Sequence, residues 1–139
     1  MIELTKQMSD LIDNNLANKT PCILATATAA GEPGVSFRGS MMVFDNEHLA
    51  FWDRSKRANL EHLGENPKVA VMFYNPAERV SWKFHGIAEI HRDGAIREQV
   101  MARTVESELA RDPNREGVAV VIRVDRVARL NGEVLQIRE

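Results

Sequence analysis

The run Val80–His91 constrains the fold of this chain more than any other segment. Apolar or small side chains occupy its even-numbered positions, and polar side chains occupy nearly all of its odd-numbered positions. A period of two is typical of a β-strand that buries one face and exposes the other. Such a strand needs neighbouring strands and a core against its apolar face, so the run predicts an antiparallel sheet.

Other parts of the chain also have strand character, and turn residues such as Gly31 and Pro33 or the Asn131-Gly132 pair separate them. These segments are 22–28, 35–44, 49–52, 69–74, 118–124 and 127–137. Apolar residues at helical spacing mark three further segments, 3–17, 56–66 and 96–109. About six or seven strands joined mostly by short turns predict a mainly β (α+β) fold. The expected architecture is an antiparallel barrel or sandwich with flanking helices.

Length and composition limit the classes of function. A chain of 139 residues is expected to form one domain, 1–139. Its net charge of −2 gives no basic field for nucleic acid or an anionic membrane. The single cysteine, Cys22, lies in an apolar run, as a buried thiol in a reducing compartment would. No apolar stretch reaches the roughly 20 residues that span a bilayer, and the acidic start differs from a signal peptide. We therefore expect a cytoplasmic protein without membrane or nucleic-acid partners.

Ser55, Lys56 and Arg57 stand where a helix is expected to begin. The positive end of the helix dipole disfavours cations there, by about 0.3–1 kcal/mol each. A bound anion would reverse that effect, because free backbone N–H groups, a hydroxyl and two cations all attract phosphate or carboxylate. The residues alone leave two interpretations open, a solvated helix start that tolerates the cost or an anion-binding site.

Four more polar or aromatic residues are candidates for a site. Arg38 and Ser40 alternate with apolar residues, so they fit either the ordinary exterior of a barrel or a binding site. Ser81 is polar and lies on the outward face of its strand. Trp52 fits a core position, a lid over the core, or a surface on which an aromatic ligand stacks. The histidines lack zinc spacing, and no nucleophile elbow, P-loop or dinucleotide-binding glycine motif is present.

The order of these segments resembles the flavin-binding split β-barrel family, the pyridoxamine-phosphate-oxidase-like proteins. The resemblance is carried by Arg38-Gly39-Ser40-Met41-Met42, Phe51-Trp52-Asp53, Ser55-Lys56-Arg57-Ala58-Asn59-Leu60 and Glu65-Asn66-Pro67-Lys68-Val69. It covers about 23–91, and the helix followed by Glu-Asn-Pro and an apolar strand is its most specific part. The resemblance implies a six- to seven-stranded antiparallel split β-barrel that binds flavin mononucleotide (FMN).

The resemblance also implies roles for individual residues. Those matched to ligands of the FMN phosphate are Arg38, Ser55, Lys56 and Arg57. Those matched to positions along the ribityl chain and the isoalloxazine edge are Gly39, Ser40, Trp52 and Asp53. Ser81 falls where relatives often place a glutamine or similar polar group on the flavin. Because the family usually builds its flavin sites at a two-fold interface, a homodimer with two sites is implied.

An FMN-dependent oxidoreductase of open substrate is therefore the expected function. Pyridoxamine phosphate oxidase itself carries a C-terminal segment with Arg and His that holds its substrate. Residues 131–139 have no recognisable counterpart, so vitamin B6 oxidation is not expected. Three alternatives remain open: a non-enzymatic FMN carrier or electron-transfer protein, a deazaflavin-dependent reductase, and a binding module for another small anion.

Overall fold

The computed structural model describes residues 1–54 and 58–139. Its helices are α1 (Lys6–Asp13), α2 (Ala58–Glu65), α3 (Gly94–Arg103) and α4 (Glu106–Leu109). Its strands are β1 (Cys22–Ala27), β2 (Pro33–Arg38), β3 (Met42–Val43), β4 (His48–Asp53), β5 (Lys68–Asn75), β6 (Val80–His91), β7 (Val118–Ala128) and β8 (Val134–Ile137). None of the helices in the described ranges is long and apolar enough to cross a membrane.

All strands belong to one antiparallel sheet that curls into a split barrel. The strand order is β2-β1-β5-β6-β7-β4-β3, and β8 pairs with β7 beyond the end of β4. The predicted mainly β split barrel with flanking helices is confirmed. The described residues form eight strands because the predicted segment 35–44 contributes two, β2 and β3.

Strand β6 buries one face and exposes the other, as its alternating sequence predicts. Trp82 and Phe84 point into the barrel and are buried, while Lys83 and His85 point outward. The Trp82 ring stacks on Phe73 of β5 with centroids 5.6 Å apart. Burial of each side chain of this size stabilises the fold by about 1.5–3 kcal/mol, so the β5–β6 pair anchors the core.

The predicted strand 35–44 is wrong in one respect, since it breaks at Gly39. The Asn15 side chain donates hydrogen bonds to Gly39 O and Met41 O, and Met41 N donates to Arg38 O. These bonds satisfy backbone groups that a continuous strand would have paired with a neighbour. The chain therefore turns at the position where the resemblance places the flavin.

The predicted helix 96–109 is also interrupted, at Thr104. The Thr104 N–H donates to Met101 O and its hydroxyl donates to Val100 O, while its own backbone is extended with ψ 135°. A hydroxyl bonded to the preceding turn competes with helix continuation. The second piece, α4, therefore starts in a new direction at Glu106.

The remaining helices match their predicted segments in part. Thr5 caps α1 by accepting a hydrogen bond from Met8 N, and Met8 and Ile12 bury the apolar face of that helix. Helix α2 is described from Ala58, so the expected start at 56 lies outside the described residues. Cys22 is fully buried as predicted, and burial raises the pKa of its thiol, which makes it an inert core residue.

Candidate functional site

The ends of β2 and β4 meet at one rim of the barrel, and five of the predicted site residues lie there: Arg38, Gly39, Ser40, Trp52 and Asp53. The Ser40 hydroxyl donates to Trp52 O and accepts from Trp52 N, both at 3.1 Å. This pair of bonds fastens the turn after β2 to the last residues of β4. Arg38 and Asp53 occupy the same rim, so the structure brings together residues that are 15 positions apart in sequence.

Arg38 points into the barrel, unlike the exterior position that simple alternation would give it. Its Nη2 lies 3.5 Å from Asp53 Oδ2, and its Cζ lies 5.0 Å from the centre of the Phe51 ring. The side chains of Arg38 and Asp53 are 13% and 1% exposed. Burial lowers the pKa of Arg38, while the nearby carboxylates of Asp53 and Glu108 oppose that effect. The guanidinium is therefore a partly desolvated cation held on an aromatic face.

One hydrogen-bond donor of Arg38 is unused. Its Nε is buried and has no hydrogen-bond partner among the residues that the structure describes. A buried N–H without an acceptor costs free energy, and an arginine fork is suited to phosphate and carboxylate oxygens. The rim therefore fits an anionic group that would accept from Arg38.

Two residues at this rim were not predicted. Arg54 follows Asp53, and its Nε lies 3.5 Å from Glu108 Oε2 on α4. A Cβ on Gly39 would come within 2.9 Å of Glu108 Oε1, so glycine lets α4 approach the turn closely. The sequence predicted one continuous helix over 96–109, and the break at Thr104 was not visible in the pattern.

The indole of Trp52 is held inside the protein. Its Nε1 donates to Asp112 Oδ2 at 2.9 Å, and Arg97 Cζ lies 4.9 Å from the centre of its ring. The side chain is buried. Of the three predicted alternatives for Trp52 the core position is confirmed, so only its backbone is available at the rim.

Asp112 organises the loop behind Trp52. Its Oδ2 accepts from Gly117 N at 2.8 Å as well as from the indole, and its Oδ1 accepts from Glu116 N at 3.0 Å. Burial alone would raise the pKa of Asp112, but these hydrogen bonds bring it below its ordinary value. A Cβ on Gly117 would collide with the indole at 2.6 Å, which explains the glycine.

A small cavity of about 50 Å³ lies beneath the turn after β2. Asp13 borders it and accepts from Val43 N at 2.8 Å, while Arg103 donates to Val43 O at 2.7 Å and to Phe44 O at 2.8 Å. Burial raises the pKa of Asp13. These contacts join α1 and α3 to β3 and hold the turn from behind.

Ser81 does not lie with the other candidates within one chain. It is on the outer face of β6, opposite Tyr74, and two strands, β1 and β5, separate it from Arg38 on the inner face of β2. Its hydroxyl accepts from Leu130 N at 3.4 Å. Ser55, Lys56 and Arg57 lie outside the described residues, so their predicted role stays a prediction.

The described residues offer no metal centre, since no three His, Cys, Asp or Glu side chains among them cluster closely enough to hold an ion. What the rim offers is a pair of arginines, Arg38 and Arg54, beside backbone N–H groups at two strand ends. Such an arrangement can hold an anion and orient the rest of a ligand along the turn at Gly39 and Ser40.

Comparisons with known proteins place this geometry in a family. The model of the family described as pyridoxamine 5'-phosphate oxidase matches residues 5–131. A putative pyridoxamine 5'-phosphate oxidase from Lactobacillus delbrueckii is 26% identical, with 91% of this chain and 94% of that chain covered and a TM-score of 0.69. An F420 reductase is 25% identical, with 78% and 89% covered and a TM-score of 0.61.

A third structure is similar in fold alone. It is a pyridoxamine 5'-phosphate oxidase-related, FMN-binding protein from Nostoc punctiforme, 13% identical, with 91% of this chain and 84% of that chain covered and a TM-score of 0.69. A comparison with curated proteins finds no match.

Proposed function

This chain belongs to the pyridoxamine 5'-phosphate oxidase family, and from that membership we propose that it binds FMN and acts as a flavin-dependent oxidoreductase. The observation that carries the proposal is the buried Nε of Arg38, a donor without a described acceptor at the rim where β2 and β4 end. Arg38 is the strand arginine that the family resemblance assigns to the FMN phosphate. The flavin, when bound, supplies the redox chemistry, and the protein supplies binding and orientation.

The phosphate end of the proposed site is rich in cations. Arg38 already lies in a partly desolvated position, where a charge-assisted hydrogen bond is stronger than in water. Arg54 lies on the same rim, and Lys56 and Arg57 follow it in sequence. Asp53 and Glu108 balance part of this positive charge, through Arg38 and Arg54. A phosphate dianion would balance more of it.

The flavin ring and ribityl chain are proposed to run along the turn after β2. The hydrogen bonds between Ser40 and Trp52 hold that turn, and the glycine at position 39 leaves room for the side chains of Leu16 and Glu108 against it. Backbone amides there can bond to hydroxyl or ring oxygens without loss of side-chain entropy. In this proposal Trp52 and Asp53 take part through their backbone at the end of β4, and the indole of Trp52 does not stack on the flavin.

We further propose that the protein is a homodimer, as the family resemblance implies. The outer faces of β2, β1 and β5 form a continuous apolar surface, since Phe37 pairs with Ile23 and Ile23 pairs with Met72. Val35 and Phe37 are each 70% exposed, which is unusual for a strand with half-buried polar neighbours. A second copy of the chain would remove this surface from water.

The proposed dimer also gives Ser81 a place. Ser81 lies opposite Tyr74 at the margin of the apolar surface, on the face that a partner would cover. A side chain there is directed away from Arg38 of its own chain and toward the neighbouring copy. Ser81 would therefore act on the flavin held mainly by the partner, in keeping with two sites at a two-fold interface.

The test compares FMN with riboflavin, which differs only in lacking the phosphate. Arg38→Gln is expected to weaken FMN binding by about 1–3 kcal/mol and to leave riboflavin binding nearly unchanged, because a charge-assisted bond to phosphate is lost. Flavin fluorescence quenching on titration of the apoprotein measures both affinities. Arg129→Gln, which removes an exposed cation at the far end of β7, is the matched control.

Two results would count against the proposal. If neither flavin binds the wild-type protein, the site does not serve FMN, and a deazaflavin or another small anion takes its place. If Arg38→Gln weakens both flavins equally, the residue supports the fold of the rim and the phosphate lies elsewhere. Arg57→Ala is expected to resemble Arg38→Gln, on the grounds of sequence alone.

A deazaflavin-dependent reductase is the second candidate, and the similarity to an F420 reductase favours it. F420 is a deazaflavin, and its phosphate-bearing chain suits the same cations. Titration with F420 beside FMN separates the two. Reduction of the bound cofactor by NADH or NADPH, followed by reoxidation with candidate acceptors, separates an enzyme from a carrier that lacks a substrate.

A further inference from the structure

A groove of about 390 Å³ lies on the outer face of the barrel, where β5, β6, β7 and β8 adjoin. Lys68, His85, Arg126 and Arg138 line it, and Ile137 forms an apolar wall that is 54% exposed. The groove lies on the face of the sheet opposite to the core and to Arg38. None of the residues assigned to the proposed flavin site lines it.

A β-bulge creates the groove. The register between β6 and β7 shifts at His85 and Gly86, so that Asp125 is an extra residue in β7. Two adjacent residues, Asp125 and Arg126, consequently lie outside the core, although neighbours in a regular strand point to opposite faces. A Cβ on Gly86 would collide with Arg123 O, so the close approach of the two strands requires glycine.

The carboxylate in the groove is already neutralised. Asp125 Oδ1 lies 2.9 Å from Arg123 Nε and 3.0 Å from Arg138 Nε. Arg138 also forms an ion pair with Glu47 at 2.8 Å. These bonds lock Arg138, whose guanidinium additionally donates to Val124 O.

Two cations in the groove lack a carboxylate. Lys68 on β5 and Arg126 on β7 form no ion pair with any residue in 1–54 or 58–139. They flank β6, where His85 pairs with Arg126 on one side and Ile87 pairs with Lys68 on the other. Long side chains on adjacent strands can converge on one ligand across a strand of this width.

We propose that this groove is a second anion site, which binds a small organic phosphate between Lys68, Arg126 and His85. Arginine and lysine donors on two sides match the oxygens of a phosphate dianion, and the imidazole can donate a further hydrogen bond. The exposed Ile137 and the neighbouring Ile87 give the organic part of the ligand an apolar wall, as small-molecule sites usually do.

The local electrostatics favour a small anion over a nucleic acid. Burial lowers the pKa of His85, and the charges of Arg126 and Lys83 lower it further, so these cations act on the imidazole without compensation. A bound anion would relieve that repulsion. Asp125 and Glu47 border the same region, and the chain as a whole has a net charge of −2, so the described residues around the groove offer no extended basic surface to a polyanion.

The experiment follows the His85 imidazole by NMR while the purified protein is titrated with inorganic pyrophosphate, and sodium chloride at equal ionic strength serves as the reference. Binding is expected to raise the pKa of His85 in a saturable way, because an anion held between Lys68, Arg126 and the imidazole favours the protonated ring. The concentration at half saturation is the measured quantity.

Five variants make the test specific. Lys68→Gln and Arg126→Gln are each expected to raise the half-saturating concentration about tenfold. Arg126→Lys, which keeps the positive charge, is expected to raise it less. Arg111→Gln makes the same change of net charge at an exposed site outside the groove and is expected to have no effect. Arg38→Gln is expected to weaken FMN binding while it leaves the response to pyrophosphate intact.

Three results would overturn the inference. One is a response of His85 that does not saturate or that equals the chloride reference, which would mean ionic-strength screening only. Another is an equal rise of the half-saturating concentration in Arg126→Gln and Arg111→Gln, which would mean a general effect of net charge. The third is loss of the response in Arg38→Gln, which would place the pyrophosphate at the inner rim. Because this readout needs no flavin, its failure is distinct from failure of the proposed function.

Discussion

Arg38 Nη2 lies 3.5 Å from Asp53 Oδ2 and joins the end of β2 to the end of β4 across the rim of the barrel. Both side chains are almost withdrawn from water, so the pair is stabilised by its charges and destabilised by its desolvation. A phosphate at the rim would change that balance, since it offers Arg38 a second anionic partner.

Asp53→Asn tests this relationship. Without the carboxylate the buried guanidinium loses its ion-pair partner, and we expect the apoprotein to lose about 1–3 kcal/mol of its free energy of unfolding. We expect FMN to raise the melting temperature more in the variant than in the wild type, because the phosphate replaces the missing charge. Urea unfolding of the apoprotein and thermal unfolding with and without FMN measure the two effects. A smaller FMN effect in the variant would mean that Asp53 itself contacts the cofactor.

Asp112 provides a pH-dependent prediction. Its pKa is lower in the folded protein than in the unfolded chain, so its contribution to stability is present above the unfolded value, about 3.9, and is lost as the pH falls through the folded value. Asp112→Asn replaces one acceptor by a donor beside three donors, and we expect it to cost about 1–3 kcal/mol at pH 7. The difference from wild type in urea unfolding should shrink below pH 4.

Asp93→Asn is the control for that measurement. Asp93 is exposed at the N-terminus of α3 and makes no side-chain hydrogen bond to cap the helix. The Asp93→Asn variant should therefore have nearly the wild-type free energy of unfolding at pH 7, and its difference from wild type should not vary with pH as that of Asp112→Asn does. If the two variants behave alike, the network around Trp52 does not hold the loop in the way the hydrogen bonds indicate.

The sequence predicted those parts of the fold that depend on local periodicity. The bounds of β6 agree with the prediction, because twelve residues of alternation leave only one way to bury Trp82 and Phe84. The tight turn at Asn131-Gly132 also formed, with Gly132 at φ 97° and its N–H bonded to Arg129 O. Both features are set by residues next to one another in the chain.

The errors have long-range causes. The break at Gly39 depends on Asn15, which lies 24 residues earlier and donates to Gly39 O. The position of Glu108 beside Arg54 depends on a helix break and on a contact over 54 residues. Periodicity carries no information on such contacts. Alternation left Arg38 open between the exterior of the barrel and a binding site, and its contacts with Asp53 and Phe51 became visible only in the structure.

Phe37→Glu tests the proposed dimer. A charge at the centre of the apolar surface on β2 and β1 would have to be buried without a partner, so we expect the dimer to dissociate. Sedimentation velocity or light scattering at several protein concentrations gives the mass. Val134→Glu is the control, because Val134 is 52% exposed on β8, outside that surface. A dimer that survives Phe37→Glu but not Val134→Glu would put the interface on β8 instead.

Gly86→Ala tests the β-bulge on which the groove depends. The added methyl group would collide with the backbone oxygen of Arg123 and crowd Ile122, so one of the two strands must shift. We expect a loss of about 1–3 kcal/mol in the free energy of unfolding, as in other overpacked sites.

Gly64→Ala is the matched control, since a Cβ there meets nothing within 4 Å on helix α2. That change should stabilise the protein by about 0.5–1 kcal/mol, because alanine loses less backbone entropy than glycine in a helix. Urea unfolding of the two variants beside wild type gives both values. A neutral Gly86→Ala would contradict the close approach described for β6 and β7, and a destabilised Gly64→Ala would contradict the open space described beside α2.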